Sequence, residues 1–112
     1  MVIINKTKNT ILAKDTLVAA TLITRIKGLL GRNDFQQGEA LIIKPCNSIH
    51  TFFMHFPIDV LFVDKDSRVI KALSCLIPFR LSKIYFNASL AIELPAGTIQ
   101  STLTSEGDTL LL

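Results

Sequence analysis

A chain of 112 residues has the length of one domain and can bury roughly two-thirds of its unfolded surface around a single core. Its 49% apolar content and positive mean hydropathy exclude a disordered chain. The net charge of +3, twelve basic minus nine acidic residues, is scattered along the sequence without a basic stripe, and no stretch approaches the roughly 18 apolar residues of a membrane span.

The opening Met-Val-Ile-Ile-Asn-Lys carries an apolar run too short for a signal peptide, so the expectation is a soluble, cytoplasmic protein with neither nucleic acid nor membrane as partner. Val2 to Asn5 is a short apolar run, Lys6 to Thr10 is turn-like, and Ile11 to Ala19 resumes as strand interrupted by Asp15. Thr21 can cap a helix. Leu22, Ile26 and Leu29 then recur at spacings of four and three, with Gly28 and Gly31 near the end, which predicts a helix from about Leu22 to Leu30.

Asn33 to Gly38 reads as a loop around Phe35, and Ala40 to Ile43 as a buried strand ending before Pro45. Ser48 to Phe56 is expected as a strand covered on both faces, because Phe52, Phe53 and Met54 are consecutive. Pro57 bends the chain, which restarts as a strand from Ile58 to Val63. A turn at Asp64-Lys65-Asp66-Ser67 makes a hairpin with Val69 to Leu76. Pro78 closes that strand. Phe79 to Phe86, with Arg80, Lys83 and Tyr85, reads as a surface loop, and Ala88 to Leu94 as a strand stopped by Pro95-Ala96-Gly97. Thr98 to Leu103 can form one or two helical turns capped by Thr98, and Thr109 to Leu112 a last strand after the Ser105 to Asp108 turn. About seven short strands with one main helix and a second short helical turn predict a single α+β domain over residues 1–112, mainly antiparallel β, as a curled sheet or partial barrel plugged by the first helix.

Candidate chemistry concentrates between Cys46 and Asp64, which holds both histidines, one of the two cysteines and four of the seven phenylalanines. In a strand His50 shares a face with Ser48, Phe52 and Met54 while His55 points the other way, so the two histidines are not expected to chelate one ion. A nucleophile at Cys46 or Ser48 with His50 as base suits the residue types. Side chains two apart on a strand, however, are separated by roughly 7 Å, and a G-x-S-x-G elbow is missing. Cys46 and Cys75 do not form a C-x-x-C pair and are expected as reduced thiols.

Asp59 lies inside an apolar strand and needs a partner, for which Arg25 and Arg32 are the candidates; it is either a strand-to-helix ion pair or a ligand-binding carboxylate. Glu93 between Ile92 and Leu94 poses the same question. Asp64, Asp66 and Asp108 read as turn residues, and Gly28-Leu29-Leu30-Gly31-Arg32 is not a phosphate loop.

Taken together, Arg25-x-Lys27-Gly28-Leu29-Leu30-Gly31-Arg32, Ser48-Ile49-His50-Thr51-Phe52-Phe53-Met54, Pro57-Ile58-Asp59-Val60-Leu61-Phe62-Val63-Asp64, Glu93-Leu94-Pro95-Ala96-Gly97 and Gly107-Asp108 resemble, in order and spacing, the small prokaryotic proteins grouped as domain of unknown function 192. The resemblance covers nearly the whole chain and implies a compact, mainly β domain with a short helix after the first strands. It implies no reaction, cofactor or substrate. In many relatives the first motif reads Gly-Leu-Met-Phe-Arg, and Trp often stands where this chain has Phe53; both departures look like core variation. Some relatives resemble exported proteins, a location not carried over to a chain that begins directly at the domain.

The sequence thus supports a non-enzymatic module binding a small molecule or peptide, with no cofactor, in a groove of His50, Phe52, Met54 and Tyr85 where Arg25, Arg32 or Asp59 fixes a polar group. A small hydrolase or metal-dependent enzyme using His50 with Asp59 or Cys46, and a protein-interaction domain of unspecified oligomeric state, are the alternatives.

Overall fold

The computed structural model describes residues 1–21, 29, 32–52 and 54–112. The helix expected from Leu22 to Leu30, and Arg25 with it, lies outside the described residues. Among those described, the chain forms β1 (Ile3–Asn5), β2 (Thr10–Ala13), β3 (Asp15–Ala19), β4 (Glu39–Ile43), β5 (Ile58–Val63), β6 (Val69–Leu76), β7 (Leu90–Pro95), the short helix α1 (Thr98–Ser101) and β8 (Leu110–Leu111). The strands make two sheets, and neither is closed: a three-stranded sheet in the order β2-β1-β8 and a five-stranded sheet in the order β3-β4-β7-β5-β6. Only β3 and β4 run parallel in the larger sheet.

Period-two alternation places the two faces of the large sheet in different cores. Ala40, Ile42, Leu61, Val63, Val69, Ile92 and Leu94 meet Ile3, Leu12, Ala13 and Leu110 of the small sheet. Leu41, Ile43, Ile58, Val60, Phe62 and Ala91 meet Leu29, Ile49 and Met54, with Phe35, Phe56 and Tyr85 partly buried against them. Both faces being covered, every residue of β5 is buried. That is why Ile58 to Val63 reads as a near-continuous apolar run.

Asp59 is the exception in that run. Its carboxylate accepts from the N–H of Cys75 (2.8 Å), of Gly97 (3.1 Å) and of Ile99 (2.8 Å). The β5–β6 register slips between Ile58 and Val60, so the carboxylate sits opposite a bulge in β6 and accepts from the Cys75 N–H that the ladder leaves over. It also caps α1 from a distance, since Gly97, the residue at the cap, has no side chain to offer. The ion pair with Arg32 expected for Asp59 is corrected: backbone amides hold the carboxylate, and Arg32 is bound to Glu39 at 2.8 Å, while the Arg25 alternative lies outside the described residues.

A second buried polar cluster closes the small sheet. Asn5 Nδ2 donates to Asp108 Oδ2 (2.8 Å) and to Thr104 Oγ1 (3.1 Å), and Lys8 Nζ lies 3.0 Å from the same carboxylate. Burial pushes the Asp108 carboxyl up, but hydrogen bonds from Asn5, the Ser105 N–H and Lys8, with the charge of Lys8, outweigh it and hold Asp108 below the usual aspartate range.

Ser48 to Phe56 is not the strand expected. Thr51 C=O accepts from the Met54 N–H at 3.2 Å, Met54 is buried, and among the described residues of this segment regular pairing is one bridge between His50 and Leu81.

Removing the Asp59 acceptor leaves three backbone donors without their partner, the buried Ile99 N–H and the part-buried N–H groups of Cys75 and Gly97. Asp59→Ala is expected to lower unfolding stability by about 3–5 kcal/mol in urea titrations, and Asp59→Asn, which turns an NH2 toward one of those donors, by roughly 1–3 kcal/mol. Equal stability of all three proteins would contradict this role.

Candidate functional site

Two irregular segments, 47–52 and 77–86, lie against each other outside the large sheet. Ser82 N–H donates to Ile49 C=O (2.9 Å) and Thr51 N–H to Arg80 C=O (2.9 Å), which makes His50 and Leu81 a directly opposed antiparallel pair with side chains on one side. Tyr85 N–H extends the contact to Asn47 C=O at 2.8 Å. Thr51 is the pin between the segments. Fully buried, its hydroxyl donates to Ile77 C=O (2.7 Å) and accepts from Arg80 N–H (2.8 Å), and its carbonyl also takes the Phe79 N–H at 3.1 Å.

The inner side of this arrangement is core. Ile49 and Met54 are buried, and Tyr85 packs on Phe62 with ring centroids 4.6 Å apart. The outer side is apolar and faces water: His50 stacks on Phe52 at 5.4 Å, and Phe79, Leu81 and Phe86 are 60%, 70% and 84% exposed, with Ile77 and Ile84 also outside. These side chains give most of their surface to water.

The residues expected to share one groove are thus divided. His50 and Phe52 remain together on the outer surface, whereas Met54 and Tyr85 turn into the core and Asp59 is committed to backbone donors. Arg32 holds Glu39 and lies 5.5 Å from the centre of the Phe35 ring. The Arg32 guanidinium, with the Gln36 N–H, keeps the Glu39 carboxyl below the usual range. Cys46 Sγ–H donates to Ser48 C=O at 3.1 Å, and Cys46 and Cys75 form no disulfide. His55 contacts Asn33 at 3.1 Å on the surface. Among the described residues no three His, Cys, Asp or Glu side chains come together in a way that could hold a metal ion. Sequence reasoning missed the outer surface because it left 77–86 as an undifferentiated loop; the signal was there in Phe79, Leu81, Ile84 and Phe86 recurring among Arg80, Ser82 and Lys83.

Glu93 answers the question asked of both acids differently from Asp59. It occupies the loop-covered face of β7, between Leu41 on β4 and Val60 on β5, is 4% exposed, and has no hydrogen bond or ion pair among the described residues. Burial alone pushes its carboxyl up to about 8. At neutral pH it therefore holds its proton and can act as a hydrogen-bond donor in an apolar setting.

The sign of the resulting pH dependence is fixed. Between the ordinary glutamate range and about 8 the folded state binds a proton that the unfolded state has released, so stability falls as pH rises through that window. Glu93→Gln is expected to flatten this alkaline loss in thermal unfolding followed from pH 5 to pH 9, values that bracket the window to about 8. Parallel curves for the two proteins would remove Glu93 as its source.

A family model described as uncharacterised ACR, domain of unknown function 192, matches residues 3–112. No curated protein matches the sequence. Among solved structures, the chain is similar to a protein of unknown function from Novosphingobium aromaticivorans DSM 12444, with TM-score 0.87 and 19% identity over 99% of this chain and 83% of that one. It is also similar to a candidate transcription regulator from Sinorhizobium meliloti 1021, with TM-score 0.84 and 18% identity over 98% of this chain and 89% of that one. At these identities the likeness is one of fold. The two-sheet architecture and the near-complete span of the family match make this chain a member of the domain of unknown function 192 family.

Proposed function

We propose that the protein is a non-enzymatic binding module that docks a partner on the apolar outer surface of segments 47–52 and 77–86. One observation carries this reading: Phe52, Ile77, Phe79, Leu81, Ile84 and Phe86, all large and apolar, are exposed on two segments tied together by Thr51. Large exposed apolar patches are costly to solubility and commonly mark interaction sites. Rigid tethering favours the same interpretation, because ordering the loops in advance lowers the entropy lost on binding. The enzymatic alternative has less support, since His50 makes no hydrogen bond to Cys46, Ser48 or Asp59 among the described residues and both Asp59 oxygens are taken.

An apolar fluorescent dye such as anilinonaphthalene sulfonate tests the surface directly. The folded protein is expected to enhance dye emission, and Leu81→Asp or Phe86→Ser to reduce that enhancement several-fold. His50→Ala should leave unfolding stability within about 0.5 kcal/mol, because an exposed ring contributes little to the fold. Unchanged dye emission in both loop variants, with unchanged melting temperature, would sink the reading.

A further inference from the structure

We propose that the partner of this surface is an anionic lipid bilayer, onto which the 77–86 loop docks by inserting its apolar side chains while Arg80 and Lys83 meet the headgroups. The proposal rests on the docking reading above and names its occupant. Three features of the loop select that occupant.

The first is shape. A small molecule or an extended peptide is held in a concavity that buries most of its surface, yet Phe79, Leu81 and Phe86 stand 60%, 70% and 84% exposed. Protruding apolar side chains suit a soft, extended apolar phase that closes around them. The second is charge. Segment 77–86 carries Arg80 and Lys83, both exposed, and acidic residues are missing from the whole of 67–92 and of 40–58, the two stretches that contain the paired loops. Apolar side chains inserted at the acyl boundary with cations at headgroup level are the arrangement by which surface-bound segments hold anionic membranes.

The third is composition, which separates a bilayer from single-stranded nucleic acid. A stacking platform for bases needs aromatic rings along a continuous cationic groove. Here Ile77, Leu81 and Ile84 interrupt the rings, and two cations are too few to track a phosphate backbone. Surface docking of this kind needs no spanning segment, and no helix among the described residues is long and apolar enough to cross a membrane.

The chain has no tryptophan, so Phe86→Trp supplies a single reporter at the most exposed of these positions. With phosphatidylcholine vesicles containing about 30% phosphatidylglycerol, its emission is expected to shift to the blue, and the protein to sediment with the vesicles. Leu81→Asp should weaken the partitioning at least roughly tenfold, from the lost burial of one leucine. Arg80→Gln and Lys83→Gln should each weaken it about fivefold on anionic vesicles and have little effect on pure phosphatidylcholine. Emission that stays unshifted with both vesicle types overturns the proposal. Equal binding to both, indifferent to the two cation substitutions, overturns it as well, because headgroup recognition is then missing. If vesicles fail to bind but Leu81→Asp still abolishes dye binding, the bilayer is rejected and the docking surface stands; if dye binding survives that substitution too, both readings fall. Displacement of the dye by an acidic amphipathic peptide or by an oligonucleotide, with no vesicle binding, likewise rejects the bilayer.

Discussion

Three backbone amides converge on Asp59 and tie the bulge of β6 to the turn that follows β7. One comes from the bulge in β6, and two come from the turn into α1 after β7. β5 is the strand between β7 and β6, so a carboxylate in its middle can reach both flanking strands. An anion surrounded by N–H dipoles is satisfied without a cationic partner. This is how a charge is kept in the driest strand of the molecule. The bulge places Cys75 at φ 53°, and Gly97 at the start of α1 has φ 96°, so the carboxylate stabilises backbone that the ladder cannot.

The consequence extends to the site. β6 ends at Leu76, one residue before segment 77–86 begins, and the anchored bulge fixes where the chain leaves the sheet. From there Thr51 takes over, bonding Ile77, Phe79 and Arg80 in succession. A buried hydroxyl and carbonyl thus replace the ladder where strand pairing has run out. They orient Leu81 and His50 outward while Ile49 stays in the core.

The sequence was most legible where one period dominated. Ile58 to Val63 and Val69 to Leu76 were bounded correctly because apolar runs met Pro57 and an Asp-Lys-Asp-Ser turn, whereas the cap of the short helix was misplaced: Gly97, not Thr98, stands there without a side-chain cap. Ser48 to Phe56 misled because its aromatic content mimics a strand, whereas its residues answer to two surroundings, a core below and water above. No periodicity records that Thr51 would bond a segment more than 25 residues away. The two strand acids looked alike, each a carboxylate between aliphatic neighbours. What separates them is the face each points to: Asp59 meets a bulge and a helix start, Glu93 meets Leu41 and Val60.

The two faces of the large sheet are closed by different means. On one side a second sheet covers the core and is itself tied off by Asn5, Lys8 and Asp108, a cluster in which the donors and acceptors answer one another. On the other side the cover includes loops whose inner residues suffice to seal the core, as Ile49, Met54 and Tyr85 do. Phe52, Leu81 and Phe86 leave much of their surface in water, and water-exposed apolar area contributes no burial energy to folding. Loops fixed by the buried hydrogen bonds of Thr51 keep these apolar side chains displayed in one arrangement, and that fixed display is what the docking proposal draws on.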